Sequence, residues 1–292
     1  MRNHSDFIDK GFDLVDRPVP VEEETGWDAR APEYALLPEK NPVYRLGKEL
    51  LYKVVEKHMK NLPEKRSLRV LDFNCGCGND FPFFLENGWQ VVGCDGSPGM
   101  LNEALKRYPR YIQSGQLKLY LGNSENLNAD SLDAQRFDLV FSTTGGFSYV
   151  DDRELIREHE VLMNMLKPGG KMILAHLSPH CPADTAFSLL RLHPRQAFRR
   201  WKRKLNVPVK GSTKTMYLRS QAQLKRLLRE SMNTEAMYGI LALTPPYQSG
   251  YLPSESMLKI HRSVELKIFS SRMALRMADQ VAMVLSPKNP KK

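Results

Sequence analysis

The chain has 292 residues, 41% hydrophobic and 26% charged, with a net charge of +10 and four cysteines. That length supports one sizeable core with appendages. No apolar run reaches the roughly 20 residues of a spanning helix, and the polar start MRNHSDFIDKGFDLVD is unlike a signal peptide, so a cytoplasmic protein is expected. Cys75, Cys77, Cys94 and Cys181 lack disulfide-framework or metal-ligand spacing, so they read as small buried side chains and no metal site is expected.

In chain order, residues 1–45 are Pro-rich and read as a loosely structured arm whose stretch GWDARAPEYALLPEKNPVY covers something. The domain proper is expected over 46–292. Leu50, Leu51, Val54, Val55 and Met59 fall at helical spacing over 46–61. Strands and helices then alternate: strand 68–73, helix 80–87, strand 89–94, helix 98–108, strands 117–121 and 137–142, helix 152–167, strand 171–177. This rhythm predicts parallel βαβ units in an α/β, doubly wound sheet. Asp151 with Glu154 has capping-box spacing, and Ser97-Pro98 reads as a cap and first turn. Beyond 177 come a basic insertion over 182–218, a helix near 219–231, a strand over 237–243, a long helix near 254–277 and a strand over 281–285.

The stretch VLDFNCGCGNDF (70–81) runs a strand into a turn of small residues at Asn74, Gly76 and Gly78. Such a turn lets backbone amides and a helix N-terminus approach a polar ligand. A dinucleotide fingerprint would put a third glycine where Phe81 stands. Asp72 would also repel a pyrophosphate, and suits a ligand with a positive end. Asp95 ends the next strand, where a carboxylate can accept from both hydroxyls of a ribose. In LGNSENL the next strand ends in Gly122, Asn123, Ser124 and Glu125, and the Asn123 amide can accept from the exocyclic amine of an adenine. Together these marks describe a nucleoside attached to something cationic.

DFNCGCG, VVGCDGSPGML, LGNSENL, FDLVFS and LKPGGKMIL resemble, in order and spacing, the motifs of class I S-adenosylmethionine-dependent methyltransferases, covering residues 66–177 well. The WDARAPEY stretch weakly resembles the cover segment of small-molecule members. The resemblance implies a Rossmann-like, seven-stranded, mostly parallel sheet with an antiparallel last strand and a helical insertion after strand 5. It implies S-adenosyl-L-methionine as cofactor, held by Asp72, Asn74, Gly76, Gly78, Asp95, Gly96, Ser97, Met100, Asn123, Ser124, Glu125 and Ser142. Asn74 replaces the family's first glycine, and asparagine tolerates the left-handed turn. Asn123 replaces the commoner aspartate, exchanging a charge-assisted bond for a neutral one at a cost of about 1 kcal/mol or less.

Methyl transfer from a sulfonium needs positioning above all, and a base only for acceptors of high pKa. His176 at a strand end and His180 just after it are candidate bases, and Tyr149 a candidate substrate contact above the floor Ser142, Thr143, Gly145 and Gly146. His159 shares a helix face with Leu155 and Leu162 and reads as core. TPPY (244–247) resembles the Asn/Asp-Pro-Pro-Tyr element of amino-methyltransferases, but stands in the wrong place and reads as a turn.

From Arg191 to Arg229 there are thirteen Lys or Arg and no Asp or Glu, so the rest of the chain carries −3. A basic amphipathic helix over 195–205 is expected, striped by Ala197, Phe198, Trp201 and Leu205. It would serve as a lid over substrate, a contact to an anionic membrane surface, or a track for RNA. Three functions follow: a methyltransferase of a small-molecule or lipid-like acceptor, an RNA methyltransferase, or a binding protein that keeps the fold without activity.

Overall fold

The structure, a computed structural model, describes residues 13–21, 26–60, 68–122, 132, 136–143 and 145–288. Its central sheet is built from β2 (Arg69–Phe73), β3 (Gln90–Asp95), β4 (Leu117–Leu121), β5 (Phe137–Ser142), β6 (Leu166–Leu177), β9 (Met232–Ile240) and β10 (Gln280–Pro287). The two-residue β1 (Asp13–Leu14) adds an eighth strand antiparallel to β4, and the order is β1-β4-β3-β2-β5-β6-β10-β9. β2 to β6 pair in parallel, whereas β10 runs antiparallel to both β6 and β9. The chain reverses between β2 and β5, and ligands of open α/β sheets bind at the carboxyl ends beside such a switch point.

Side-chain alternation builds two cores. Val70, Leu139, Phe141 and Ile173 face one side, buried with Leu50 and Val54 of α3 (Pro42–Met59), Phe84 of α4 (Phe81–Glu86) and Leu101 of α5 (Pro98–Arg107). The intervening Leu71, Val140 and Leu174 face the other, against Leu155 and Leu162 of α7 (Asp152–Asn164) and Leu224 and Leu228 of α10 (Gln221–Leu228). Each fully buried leucine contributes about 1.5–3 kcal/mol. Ser97 and Asp151 cap α5 and α7 as expected, their side chains accepting from Met100 N and from Arg153 N and Glu154 N.

Several expectations are corrected. From Gly26 onward the arm is helical: α1 (Gly26–Ala35), α2 (Leu37–Lys40) and the start of α3 lie within it, because Pro38 and Pro42 occupy first turns, where a missing N–H costs nothing. β6 begins at Leu166, since Lys167 to Gly170 bulge without leaving the ladder, with Gly169 at φ +80. The long C-terminal helix is two, α11 (Glu255–Ile268) and α12 (Arg272–Met277), the second capped by Ser271. A short α6 (Pro109–Gln113) follows α5.

The basic helix over 195–205 does not form. After α8 (Pro182–Leu190), α9 spans only Pro194–Ala197, a single turn of 3₁₀ helix covers Arg199–Lys202, and Arg203 turns left-handed at φ +57. A hairpin follows, β7 (Lys204–Val209) against β8 (Ser212–Tyr217), joined by Lys210 and Gly211 at φ +26 and +78. Leu205, Val207 and Val209 alternate with exposed Lys204, Asn206 and Pro208, a period of two that outweighs the helical stripe. Buried ion pairs fix the segment: Arg200 bonds Asp184 at 2.9 Å and Asp279 at 2.5 Å, and Arg199 bonds Asp184 at 2.8 Å.

Candidate active site

The turn after β2 has the expected backbone. Asn74 sits at φ +59, Gly76 at +55 and Gly78 at +69, where asparagine and glycine are the tolerated residues. A Cβ on Gly78 would lie 2.2 Å from the Phe81 ring, and one on Gly93 would lie 2.4 Å from it. Phe81 thus fills the space beneath the turn and packs the loop onto β3.

Asp95 ends β3 with Oδ2 accepting from Gly76 N at 2.8 Å and Oδ1 from Ser97 N at 2.9 Å. Its carboxylate therefore ties the two loops together, and each oxygen keeps a second lone pair for another donor. Burial pushes its pKa up to about 6, although the amides of Ser97 and Gly76 hold it down. Asp72 is buried, and its Oδ2 has no hydrogen-bond partner among the described residues. Burial first, and Asp80 next, raise its pKa well above the ordinary carboxylate range, while Lys48 opposes them. Ser142 Oγ at the end of β5 is likewise buried and unpaired among the described residues. A cationic ligand with free N–H donors would satisfy such groups, so the residues present fit S-adenosylmethionine. Gly96 is exposed, Ser97 caps α5, and Met100 lies 3.1 Å from Cys77 Sγ. Asn123, Ser124 and Glu125 lie outside the described residues.

α1 lies across these loops. Asp28 Oδ1 accepts from Ser97 Oγ at 2.6 Å and Gly99 N at 2.7 Å, Cys77 Sγ reaches Ala31 O, and Asn79 Nδ2 donates to Tyr34 O. Gly26 N donates to Lys210 O at 2.7 Å, so the hairpin tip holds the start of α1. Aromatic rings continue the wall edge to face: Tyr149 on Trp27 at 5.7 Å, Trp27 on Tyr34, Tyr34 on Tyr44, and Tyr44 on Tyr247 at 5.3 Å. Burial pushes the Tyr149 hydroxyl up to about 12, so at neutral pH it is a donor and not a base.

Sequence reasoning missed Lys48. From α3 it reaches Asp80 Oδ2 and Thr143 Oγ1, each at 2.6 Å, while Tyr52 OH donates to Asp80 Oδ1 at 2.8 Å. Burial disfavours its charge, but Asp80 outweighs that and raises its pKa. A lysine between apolar positions of an amphipathic helix was the available signal, since such a residue is rarely buried unless paired.

One candidate changes role. His176 is 1% exposed, has neither ring nitrogen paired among the described residues, and lies against His159 and Phe147 in the core. Burial holds it neutral, far below the usual histidine range, so it is corrected from candidate base to core residue. His159 is core as expected, lowered by burial to about 3. His180 stays exposed after β6. TPPY is a turn after β9, where Thr244 donates through N and Oγ1 to Glu265 Oε1.

A groove of about 1050 Å³ lies beyond Tyr149, lined by Asp151, Arg153, Arg203, Lys204, Arg219 and Arg226 among others. Arg219 ties it to the site, donating to Phe147 O and Val150 O on either side of Tyr149.

Residues 70–170 match the family described as "Methyltransferase domain". These residues are identified as a methyltransferase domain. The chain is 30% identical over 140 residues to malonyl-[acyl-carrier protein] O-methyltransferase of Enterobacter lignolyticus, covering 47% of this chain and 50% of that one. It is 28% identical over 160 residues to demethylmenaquinone methyltransferase of Paenarthrobacter aurescens, covering 54% and 56%. The chain thus spans about half the length of the curated relatives it matches. The fold is shared with the CcbJ methyltransferase of Streptomyces caelestis at 15% identity, 91% and 100% coverage and TM-score 0.56. It is also shared with the PH0226 protein of Pyrococcus horikoshii at 19% identity, 88% and 99% coverage and TM-score 0.53. No helix among the described residues is long and apolar enough to cross a membrane.

Proposed function

We propose that this chain transfers a methyl group from S-adenosylmethionine to a small-molecule or lipid-like acceptor. The observation that carries the reading is the pair of strand-end carboxylates: Asp95 clamped by the amides of Gly76 and Ser97, and Asp72 buried with an unpaired oxygen. When bound, the cofactor supplies a methyl group already activated on a sulfonium. The chain's own residues then have to position the acceptor and exclude water, which is where most of the available acceleration lies. The aromatic row from Tyr149 to Tyr247 would form the dry wall, with Tyr149 donating to an acceptor oxygen or nitrogen. His180 remains the candidate base. Segment 182–218 would flank the acceptor side, its hairpin tip holding α1 shut over the loops.

Support for a small acceptor comes from the relatives, one acting on a malonyl group on acyl-carrier protein and one on demethylmenaquinone by name. An RNA acceptor and an inactive binding protein are the rival readings. Incubating the protein with methyl-labelled cofactor and separate lipid, small-metabolite and RNA extracts decides among them. Label in a lipid or small metabolite is expected. Label in RNA, or cofactor binding without transfer to any extract, would overturn the acceptor assignment.

A further inference from the structure

Five of the twelve exposed large apolar side chains among the described residues fall between Leu189 and Trp201, so this is a cluster and not the scatter normal on soluble surfaces. Leu190, Leu192 and Trp201 are 82%, 87% and 64% exposed. Phe198 meets the Trp201 ring edge-on at 4.9 Å, so these two aromatics form one feature. The cluster sits on the unit made by α8, α9 and the turn after it, which is no floppy appendage. Arg200 is buried between Asp184 of α8 and Asp279 ahead of β10, and His193 N donates to Ser188 O at 2.9 Å. A unit fixed this firmly holds its leucines and tryptophan outward.

The charges around them are of one sign. Arg191, Arg195, Lys202 and Arg203 are exposed, none forms an ion pair with a carboxylate among the described residues, and Asp184 is buried, its Oδ2 accepting from Arg199 and Arg200. Exposed aliphatic and indole side chains interleaved with cations that pair with no carboxylate among the described residues have the chemistry of a surface that lies in a lipid headgroup region. A second copy docking on the same patch would bring these like charges face to face. A nucleic acid has stacking uses for Phe198 and Trp201 but none for Leu190 and Leu192.

We propose that this unit docks on an anionic lipid bilayer, with Leu190, Leu192 and Trp201 entering the interface and Arg191, Arg195 and Lys202 meeting the headgroups. α8 follows directly on the carboxyl end of β6, and Phe187 of α8 packs on Tyr251 at 5.1 Å. Docking therefore sets the acceptor side of the cleft beside the membrane, which rests on the lipid-like acceptor reading for its purpose but not for its occurrence.

The test is co-sedimentation of the full chain with phosphatidylcholine vesicles, with and without phosphatidylglycerol. Binding is measured without methyl transfer, so failure of the acceptor reading leaves the result intact. The parent is expected to bind the anionic vesicles and to be released by salt. Leu190→Ser/Leu192→Ser/Trp201→Ser should weaken binding at least about tenfold. Arg191→Gln/Arg195→Gln/Lys202→Gln should remove the salt dependence, and both variants should keep the parent's cofactor affinity. Three results would overturn the proposal: no vesicle binding by the parent, parental binding by both variants, or a parent dimer in sedimentation equilibrium that Leu190→Ser/Leu192→Ser converts to monomer. Gel retardation of RNA without vesicle binding would do the same.

Discussion

Replacing Lys48 with methionine tests whether the buried ion network sustains the loop after β2. Lys48 and Asp80 are 6% and 5% exposed in their side chains and 2.6 Å apart. Without the ammonium, Asp80 keeps, among the described residues, only Tyr52 OH at 2.8 Å and Thr143 Oγ1 at 2.9 Å as side-chain donors, both neutral, and still faces Asp72. Breaking one side of a buried pair costs about 3–5 kcal/mol, because it strands the other charge. Lys48→Met should therefore lower the urea-unfolding free energy by about 3 kcal/mol or more. Lys48→Met/Asp80→Asn removes both charges and should recover a large part, giving a coupling of about 2 kcal/mol or more. The deficit should also depend on pH. A carboxyl raised in the folded state binds more protons than its unfolded counterpart, so its destabilising effect grows as pH rises from the ordinary carboxylate range toward the raised value. Losing Lys48 raises Asp72 further, so the single variant should fall furthest behind the parent at neutral pH and least in acid. Additive effects of the two substitutions, or a deficit that grows in acid, would refute this account of the network.

Two further outcomes concern the cofactor. Asn123→Asp should keep or tighten S-adenosylmethionine binding by up to about 1 kcal/mol, measured by calorimetry, because it restores a charged acceptor; loss of binding in a folded variant would show that the amide N–H₂ is itself needed. Since Asp95 accepts in its ionised form and burial raises it to about 6, affinity should be full above that pH and fall by up to about tenfold per unit below it. A flat profile between pH 5 and 8 in a protein that stays folded would argue against that role for Asp95.

Much of the parallel sheet was legible because both its faces are covered. Strands such as RVLDF and FDLVFS are nearly continuous apolar runs with turn residues at their ends, and they fall within a residue or two of where the sequence reading puts them. Asn74 was readable as a left-handed residue because few side chains other than its own fit a glycine turn. The basic segment was misread because Phe198, Trp201 and Leu205 mimic a helical stripe over a span too short to show the period-two alternation that begins at Lys204. What decides there is tertiary: Asp184 and Asp279 pull Arg200 inward, and neither carboxylate is near it in sequence. The same distance hid the Lys48 network, whose partners lie 32 and 95 residues away. His176 was misplaced because a strand-end position does not reveal which face of the sheet the side chain takes; the alternation sends it against Phe147 and His159.

The central claim, that the loops after β2 and β3 form a working S-adenosylmethionine site, is tested most directly by titrating the cofactor into the parent and into Asp95→Ala by calorimetry. The parent should bind one equivalent, and the variant should bind more weakly by about 2–3 kcal/mol, roughly 30- to 140-fold, as charge-assisted bonds to the ribose are lost. No binding by the folded parent, or equal affinity in parent and variant, would contradict it.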